Sequence, residues 1–172
     1  MFARCLCCFW AATICALAEP HPISPTNSPA LLRSADAGQK VEQIRTRCIE
    51  GRRYIAGRVL EVTPDGLVID SGYSRLLSAP FNKSWLVTGT ATIERDPTLV
   101  EENKPDAICS GLLLLSNFPK RPAVKNYDYV VIHGYPAGNY VYVPAPGIKK
   151  TIRRFSASLE RAVESNQVLE RK

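Results

Sequence analysis

Alternation of apolar and polar residues predicts that the middle of this chain folds mainly as β-strands. Residues 54–63 and 66–72 are rich in β-branched side chains and flank a Thr-Pro-Asp-Gly sequence. Proline fixes φ early in a turn and glycine accepts a positive φ late in it, so the two runs are predicted to form a β-hairpin. Gly57, inside the first strand, predicts a bulge or a bend, as at a barrel corner.

The most regularly patterned stretch is YDYVVIHGYPAGNYVYVP, residues 127–144. It predicts a second hairpin that turns at Pro-Ala-Gly-Asn. Period-two alternation is expected to place one set of side chains outward and the other set inward. The outward set is Tyr129, His133, Tyr135, Tyr140 and Tyr142, and the inward set is Val130, Ile132, Val141 and Val143.

The remaining patterns predict three more strands and two helices. Residues 84–94, 109–117 and 149–157 are read as strands, and the segment 73–108 is read as an insertion. A helix is predicted over 36–49, where Asp36 can cap the start and apolar residues recur at helical spacing. A C-terminal helix is predicted over 158–170, capped by Ser158.

Short strands with few helices indicate a mainly β domain, a small OB-like barrel with a short helix before it and a C-terminal helix after it. The order of strands and bends resembles that of oligonucleotide/oligosaccharide-binding (OB) barrels. Together, the segments AGRVLEVTPDGLVI, YDYVVIHGYPAGNYVY and KKTIRRF resemble a group of small exported bacterial proteins of unknown function with such a barrel. The resemblance implies a barrel and implies no activity.

The first 18 residues have the pattern of a secretory signal peptide. A single charge, Arg4, precedes an apolar run that ends in Ala-Leu-Ala and is shorter than a membrane-spanning helix requires. A lipoprotein signal is disfavoured because Ile14 precedes Cys15. We therefore expect four segments: the signal peptide 1–18, a proline-rich linker 19–35, a β-barrel domain 36–157 that contains the insertion, and a C-terminal helix and tail 158–172. No stable membrane span is expected after cleavage.

Cleavage would leave two cysteines, Cys48 and Cys109, of the six in the chain. An even number of cysteines in an exported protein predicts a disulfide between them. Two separately buried free thiols are the alternative.

Catalytic and metal-binding motifs give little support for an enzyme. Beyond His21 in the linker, the only histidine is His133, which could act as a base with Asp128 or Ser110 nearby, but the chain has no G-x-S-x-G sequence. No cofactor or metal is predicted, because cysteines and histidines lack zinc-site spacing. The acidic residues 101, 102 and 106 lack the spacing of a calcium loop and are interpreted as a solvated loop.

A basic and aromatic surface is the best remaining candidate for function. The formal charge is +6, and +5 after loss of Arg4, which favours an anionic polymer as partner. If the last strand pairs with the hairpin, Lys149 and Arg153 lie beside the outward tyrosines, an arrangement that binds sugar polymers or single strands in such barrels. Packing of the tyrosines under the insertion or the C-terminal helix is the alternative.

The predicted function is an exported, non-catalytic binding or structural module of the cell envelope that contacts a glycan or anionic polymer. Nucleic acid is disfavoured by export. A protein–protein interaction domain is the second reading, and a hydrolase that uses His133 is the third.

Signal-peptide cleavage after Ala18 is directly testable. We expect protein recovered outside the cytoplasm to have an intact mass that lacks residues 1–18, because signal peptidase cleaves after small-x-small sequences. A mass that still includes Met1 to Ala18 would identify the segment as an anchor.

Overall fold

A computed structural model describes residues 29–89, 92–119 and 122–171. The predicted signal peptide, His21 and the first part of the linker lie outside these residues. Within them the chain forms two α-helices and seven β-strands, with 3-10 turns at Ser74–Leu77 and Phe81–Lys83. In chain order the elements are α1 Pro29–Glu50, β1 Arg53–Thr63, β2 Gly66–Ser71, β3 Leu86–Val87, β4 Ala107–Ile108, β5 Gly111–Ser116, β6 Tyr129–Ala145, β7 Ile148–Ser156 and α2 Leu159–Glu170.

The strands form one mixed sheet in the order β3-β6-β7-β5-β2-β1-β4, and β6 also pairs with β1. Because of this extra pairing, β1, β2, β5, β7 and β6 each pair with two others in a ring, so the sheet curls back on itself. The β5–β7 and β1–β4 pairings are parallel, and the others are antiparallel. The prediction of a mainly β domain with one helix before it and one after it is confirmed.

The main hydrophobic core fills the concave side of this curled sheet. Alternate residues of each ring strand point into it, as the two-residue period of a strand requires. These side chains are at most 4% exposed, and burial of each aliphatic side chain stabilises the fold by about 1.5–3 kcal/mol. The core residues are Ile55, Val59, Leu67, Ile69, Cys109, Leu113, Leu115, Val130 and Phe155.

The first predicted hairpin is confirmed. In it, β1 and β2 pair from Gly57–Ser71 to Thr63–Gly66, and the Thr63 hydroxyl donates to the Gly66 carbonyl at 2.9 Å. The register shift lies between Val59 and Glu61, two residues beyond the predicted bend at Gly57.

Both predicted helices are present, with a different start for the first. The side chain of Ser158 accepts from the Arg161 backbone N–H and caps α2 as expected. However, α1 begins at Pro29 rather than at Asp36, so the end of the predicted linker, residues 29–35, is helical. Proline is well suited to the first turn of a helix, where its missing N–H needs no partner. No helix within the described ranges is long and apolar enough to cross a membrane.

The predicted hairpin over 127–144 is wrong, because β6 runs without a turn from Tyr129 to Ala145. A single partner strand, β7, pairs with both halves: Tyr135 and Pro136 lie opposite Ser156 and Phe155, whereas Asn139 lies opposite Arg153. The Pro-Ala-Gly-Asn sequence is therefore a β-bulge, in which Gly138 adopts a φ of +94° that glycine tolerates. The true hairpin follows it, between β6 and β7 at Pro146-Gly147.

The two helices pack together on this bulge. Ile44 and Cys48 of α1, Ala162 and Val163 of α2, and Ala137 of β6 form a separate buried cluster. The Asn166 side-chain amide donates to the Pro136 carbonyl at 2.9 Å, which satisfies a backbone group that the bulge frees.

The structure does not contain the predicted disulfide. Cys48 and Cys109 are both free and buried, and they belong to different hydrophobic clusters. Cys48 lies between the helices, whereas Cys109 lies in the main core. The two cysteines therefore occupy two separate packing sites as free thiols, the alternative to the predicted disulfide.

The insertion 73–108 has less strand than predicted. Among the described residues of the run 84–94, which are 84–89 and 92–94, only Leu86 and Val87 form a strand, β3. The insertion instead packs over the outer side of β1 and β6, where Tyr73, Leu76 and Ile93 bury Ala56 and Tyr129.

Gly57 provides a test of the curled sheet. An added Cβ would lie 2.5 Å from both the Asp70 carbonyl oxygen and Ile69 Cγ2, so Gly57→Ala should lower the free energy of unfolding by about 1–3 kcal/mol. Gly38 in α1 is a matched control with nothing within 4 Å, and Gly38→Ala should raise it by about 0.5–1 kcal/mol. Urea denaturation measures both values, and equal stability of Gly57→Ala and wild type would contradict the close approach.

Candidate functional site

The residues predicted as one contact surface lie in separate parts of the structure. Tyr129 is only 3% exposed and packs edge-on against Tyr73, with ring centroids 5.5 Å apart. Tyr129 lies on the outer side of β6 as predicted, but it is not exposed, because the insertion covers it, which is the alternative that the sequence left open. His133 and Tyr135 are half-buried near the bulge, whereas Tyr140 and Tyr142 lie beyond it.

The bulge determines which residues in the second half of β6 face the outer side of the sheet, where Tyr140 and Tyr142 lie as predicted. An extra residue between Pro136 and Asn139 shifts the side-chain alternation by one position. Val141 and Val143, predicted inward, are 56% and 52% exposed. Tyr140 and Tyr142 are half-buried and pack on apolar side chains instead.

Tyr140 and Tyr142 cover an apolar floor on the outer side of the sheet. This floor consists of Val68 of β2, Leu114 of β5 and Ile152 of β7, all buried, with Leu112 beside them. We refer to the two tyrosines with their charged neighbours Glu61, Asp65, Lys150 and Arg154 as the Tyr140–Tyr142 surface. Three different strands, β2, β5 and β7, hold its floor, so the rings are supported from below.

Carboxylates fix the two phenol groups. The Tyr140 hydroxyl lies 3.2 Å from Asp65 Oδ2, and the Tyr142 hydroxyl bonds to Glu61. The pKa of each tyrosine is raised, first because the hydroxyl is partly desolvated and then because these carboxylates stabilise its protonated form. Both hydroxyls therefore remain protonated at neutral pH and keep defined orientations.

Two basic side chains stand beside the rings. Lys150 is the cross-strand partner of Tyr142, and Arg154 is the partner of Leu114 in the floor. The β1–β2 turn, which carries Asp65, lies next to this surface.

His133 belongs to a second polar group near the start of β1. Its Nε2 lies 3.1 Å from Asp106 Oδ1, and its ring lies 4.0 Å from that of Tyr54. Arg52 donates to both oxygens of Asp106 at 2.8 and 2.6 Å and also bonds to the Tyr135 hydroxyl. Hydrogen bonds from Arg52 are the main reason why the pKa of Asp106 is lowered.

The predicted partners of His133 make other contacts. The carboxylate of Asp128 accepts from the backbone N–H groups of Gly89 and Lys125, at 2.9 and 2.8 Å. The Ser110 hydroxyl lies 3.4 Å from an Arg95 nitrogen. The contacts that the structure gives His133 are therefore those to Asp106 and Tyr54.

Arg153, predicted at the tyrosine surface, instead closes one end of the core. It forms two 2.7 Å hydrogen bonds to the Glu101 carboxylate, and its side chain also donates to the Ser110 carbonyl and to Cys109 Sγ. Arg53, only 9% exposed, approaches the same carboxylate at 3.4 Å. Lys149 is exposed near the β6–β7 turn.

The surroundings of Glu101 and Cys109 at this end of the core determine the protonation of both side chains. Burial opposes ionisation of Glu101, but hydrogen bonds from Arg153 and Ser110 outweigh it, so the pKa of Glu101 is lowered. Burial raises the pKa of the Cys109 thiol to about 12, so it remains a neutral thiol at physiological pH. Cys109 is thus a packing residue rather than a reactive nucleophile.

Several residues of these groups are not indicated by any sequence pattern. Glu101 and Asp106 were interpreted as parts of a solvated loop, but each binds arginine side chains. Their loop is distant in sequence from those arginines, so no local pattern reveals the pairing. Asp65 could have been identified from the sequence, because it lies in the predicted β1–β2 turn.

The fold and these surfaces define a small mainly β domain with aromatic and ionic groups on its outer side. No protein-family model, curated protein or solved structure matches the chain. Function must therefore be argued from the surfaces themselves.

Glu101→Gln tests the ion-pair group. Loss of this charge leaves Arg53 and Arg153 without their counterion, so the free energy of unfolding should fall by about 1–3 kcal/mol at pH 7. Glu102→Gln is the control, since its carboxylate is 60% exposed, and it should change stability by less than about 0.5 kcal/mol.

The same pair of variants predicts a pH dependence. Because the pKa of Glu101 is lower in the folded state, its stabilisation is present above its ordinary pKa of 4.5 and is lost as pH falls through the folded value. Thermal melting from pH 7 to pH 3 should show a smaller acid-induced loss for Glu101→Gln than for Glu102→Gln. Parallel curves would contradict this role.

Proposed function

We propose that this protein is an exported, non-catalytic binding module of the cell envelope that contacts a glycan through the Tyr140–Tyr142 surface. The observation that carries the proposal is two supported tyrosine rings side by side, with oriented carboxylates and two cations around them. Aromatic rings pack against the apolar faces of sugar rings, and carboxylates accept hydrogen bonds from sugar hydroxyls.

Export is supported by the signal-peptide pattern of residues 1–18. It makes envelope polysaccharide a more accessible partner than nucleic acid. We propose no catalytic role for His133, because the Asp106 carboxylate beside it is held by two hydrogen bonds from Arg52.

The charges around the rings favour a neutral or weakly acidic glycan over a strongly anionic polymer. Glu61 and Asp65 hold the tyrosine hydroxyls and would repel a dense line of negative charge. Lys150 and Arg154 balance these two carboxylates. An anionic polymer would therefore need to contact the lysine and arginine side while avoiding the acidic side.

A second candidate function, docking of a partner protein, is favoured by the other side of the β6–β7 hairpin. Val141 and Val143 are 56% and 52% exposed there. Apolar side chains clustered at the end of a hairpin are a common feature of protein interfaces. Co-purification of a defined protein that is lost in Val141→Ser/Val143→Ser would favour this function.

Replacement of the two rings tests the glycan proposal. Tyr140→Leu and Tyr142→Leu keep apolar cover over Val68 and Leu114 but remove the aromatic faces. Each should cost about 1–3 kcal/mol of binding free energy toward isolated envelope glycans, by analogy with stacking on aromatic platforms. Calorimetry or affinity electrophoresis measures binding, and thermal melting confirms that the variants remain folded.

Val141→Ala on the opposite side of the same strand is the matched control and should bind as wild type does. Titration with sodium chloride separates the two polymer types, since binding of a polyanion weakens with salt and binding of a neutral glycan does not. Unchanged binding by the folded double variant Tyr140→Leu/Tyr142→Leu would refute the proposal.

A further inference from the structure

The loop that carries β3 and the loop that leads into β6 form two walls of a surface cavity of about 730 Å³. The first wall comes from residues 84–89 and the second wall from residues 122–128. The lining includes Trp85, Leu86, Pro122, Ala123, Asn126 and Tyr127. A cavity of this volume, with an apolar lining and a few polar groups, suits a small organic molecule.

Backbone hydrogen bonds attach both walls to the sheet. In the first wall, β3 pairs with the start of β6, and the Trp85 carbonyl accepts from the Val131 N–H at 2.9 Å. In the second wall, the Tyr127 N–H donates to the Val59 carbonyl at 2.7 Å, and the Asp128 carbonyl accepts from the Val59 N–H at 2.8 Å. The fold itself therefore holds the cavity open, as is usual for small-molecule sites.

The buried carboxylate of Asp128 also joins the two walls to each other. Its Oδ1 accepts from the Gly89 N–H of the first wall at 2.9 Å, and its Oδ2 accepts from the Lys125 N–H of the second wall at 2.8 Å. This bridge fixes the distance between the loops at that point. Because both oxygens already accept hydrogen bonds, Asp128 positions the walls rather than serving as a ligand contact.

Tyr127 is an unusual residue for its place in the second wall. Its φ of +74° lies in the left-handed region, which bulky side chains avoid. The other described non-glycine residues with positive φ are Asp106 and Asn117, whose short polar side chains tolerate it. Core packing does not account for tyrosine here, because its side chain is 56% exposed. A strained backbone that carries an exposed aromatic ring indicates a role in binding.

Two aromatic rings in defined positions line the cavity. The Arg58 carbon Cζ lies 4.8 Å from the centroid of the Tyr127 ring, a cation–π contact that restrains this ring. Trp85, in the first wall, is half-buried and packs against the main core. Aromatic side chains stack on planar aromatic partners or meet them edge-on. The two rings therefore favour a ligand with an aromatic body.

Asn126 provides a polar group whose orientation is known. Its Oδ1 accepts from the Val62 N–H at 3.2 Å, and only the oxygen of the side-chain amide can accept this bond. The NH₂ group of Asn126 makes no hydrogen bond within the described residues. This free donor requires an acceptor, such as a carbonyl oxygen, on the ligand.

We propose that this cavity binds a compact planar aromatic molecule that carries a hydrogen-bond acceptor such as a carbonyl oxygen. Trp85 and Tyr127 contact its aromatic body, and the Asn126 NH₂ group donates to its acceptor. None of these residues belongs to the Tyr140–Tyr142 surface. The proposal therefore stands independently of glycan binding.

Two related probes test the class of ligand. Coumarin is a planar aromatic lactone, and octahydrocoumarin keeps the lactone carbonyl but has no aromatic ring. Trp10 lies in the predicted signal peptide, so in a Trp10→Phe chain the indole N–H signal in nuclear magnetic resonance reports on Trp85 alone. We expect a saturable shift with coumarin and at least about fivefold weaker binding of octahydrocoumarin. No saturable shift, or equal affinity for the two probes, would overturn the proposal.

Variants of Tyr127 distinguish binding from packing. Tyr127→Asn removes the ring but tolerates the positive φ, so the protein should fold and bind coumarin about tenfold more weakly. Tyr127→Phe keeps the ring and should bind within about twofold of wild type. Thermal melting confirms that each variant is folded.

Asn126→Asp tests the polar contact. The variant keeps an oxygen for the Val62 N–H but loses the NH₂ donor, so coumarin should bind about threefold more weakly or worse. Val100→Ala, at a position that is 80% exposed in the insertion, is the control and should bind as wild type does. Wild-type affinity in folded Tyr127→Asn or in folded Asn126→Asp would remove the contact assigned to that residue and overturn the proposal.

Discussion

The structure depends on one local mismatch, the bulge at which β6 has two residues opposite a single residue of β7. Strands β6 and β7 are paired on both sides of this bulge, from Tyr135 opposite Ser156 to Tyr140 opposite Ile152. Before the bulge, even-numbered residues of β6 such as Val130 face the core. After it, the even-numbered residues Tyr140 and Tyr142 face the outer side of the sheet. One extra residue therefore lets a single 17-residue strand serve both the curled sheet and the hairpin that extends from it.

The same bulge determines where the helices lie. It frees the Pro136 carbonyl, to which Asn166 of α2 donates, and it presents the small side chain of Ala137 to the two helices. A small residue allows close approach, and a satisfied carbonyl removes the cost of burying it. The helices consequently pack against the sheet at this point, and Cys48 is buried far from the core that holds Cys109.

Sequence patterns predicted the elements whose signals are local. Four such elements each depend on residues within a few positions of one another. They are the β1–β2 turn, the strand after Gly111, the strand with Ile152 and the capping of α2 by Ser158. The bulge was mistaken for a turn because Pro-Ala-Gly-Asn suits either structure, and only the long-range pairing with β7 decides between them. Tyr140 and Tyr142 do lie on the outer side, but Tyr129 is covered by the insertion, so the tyrosines predicted to form one surface are divided among several parts of the fold.

Charge pairing was beyond prediction for a related reason. Arg52, Arg53 and Arg58 lie close together in sequence, and composition gives no means to rank them. Glu101 and Asp106, which come from a distant loop, pair with the first two and with Arg153.

The positive net charge of the chain is therefore a poor guide to its partners. Several arginines are already paired with carboxylates: Arg153 and Arg53 with Glu101 at one end of the core, and Arg52 with Asp106 in the loop before β4. The position of each remaining basic side chain in the fold decides what it can bind. Lys150 and Arg154 stand beside the tyrosine rings, where the carboxylates of Glu61 and Asp65 offset them, whereas Arg58 lies against the rings of Tyr127 and Tyr129. The strength of each charge therefore depends on its neighbours and on its exposure to water, and a sum over the sequence contains neither.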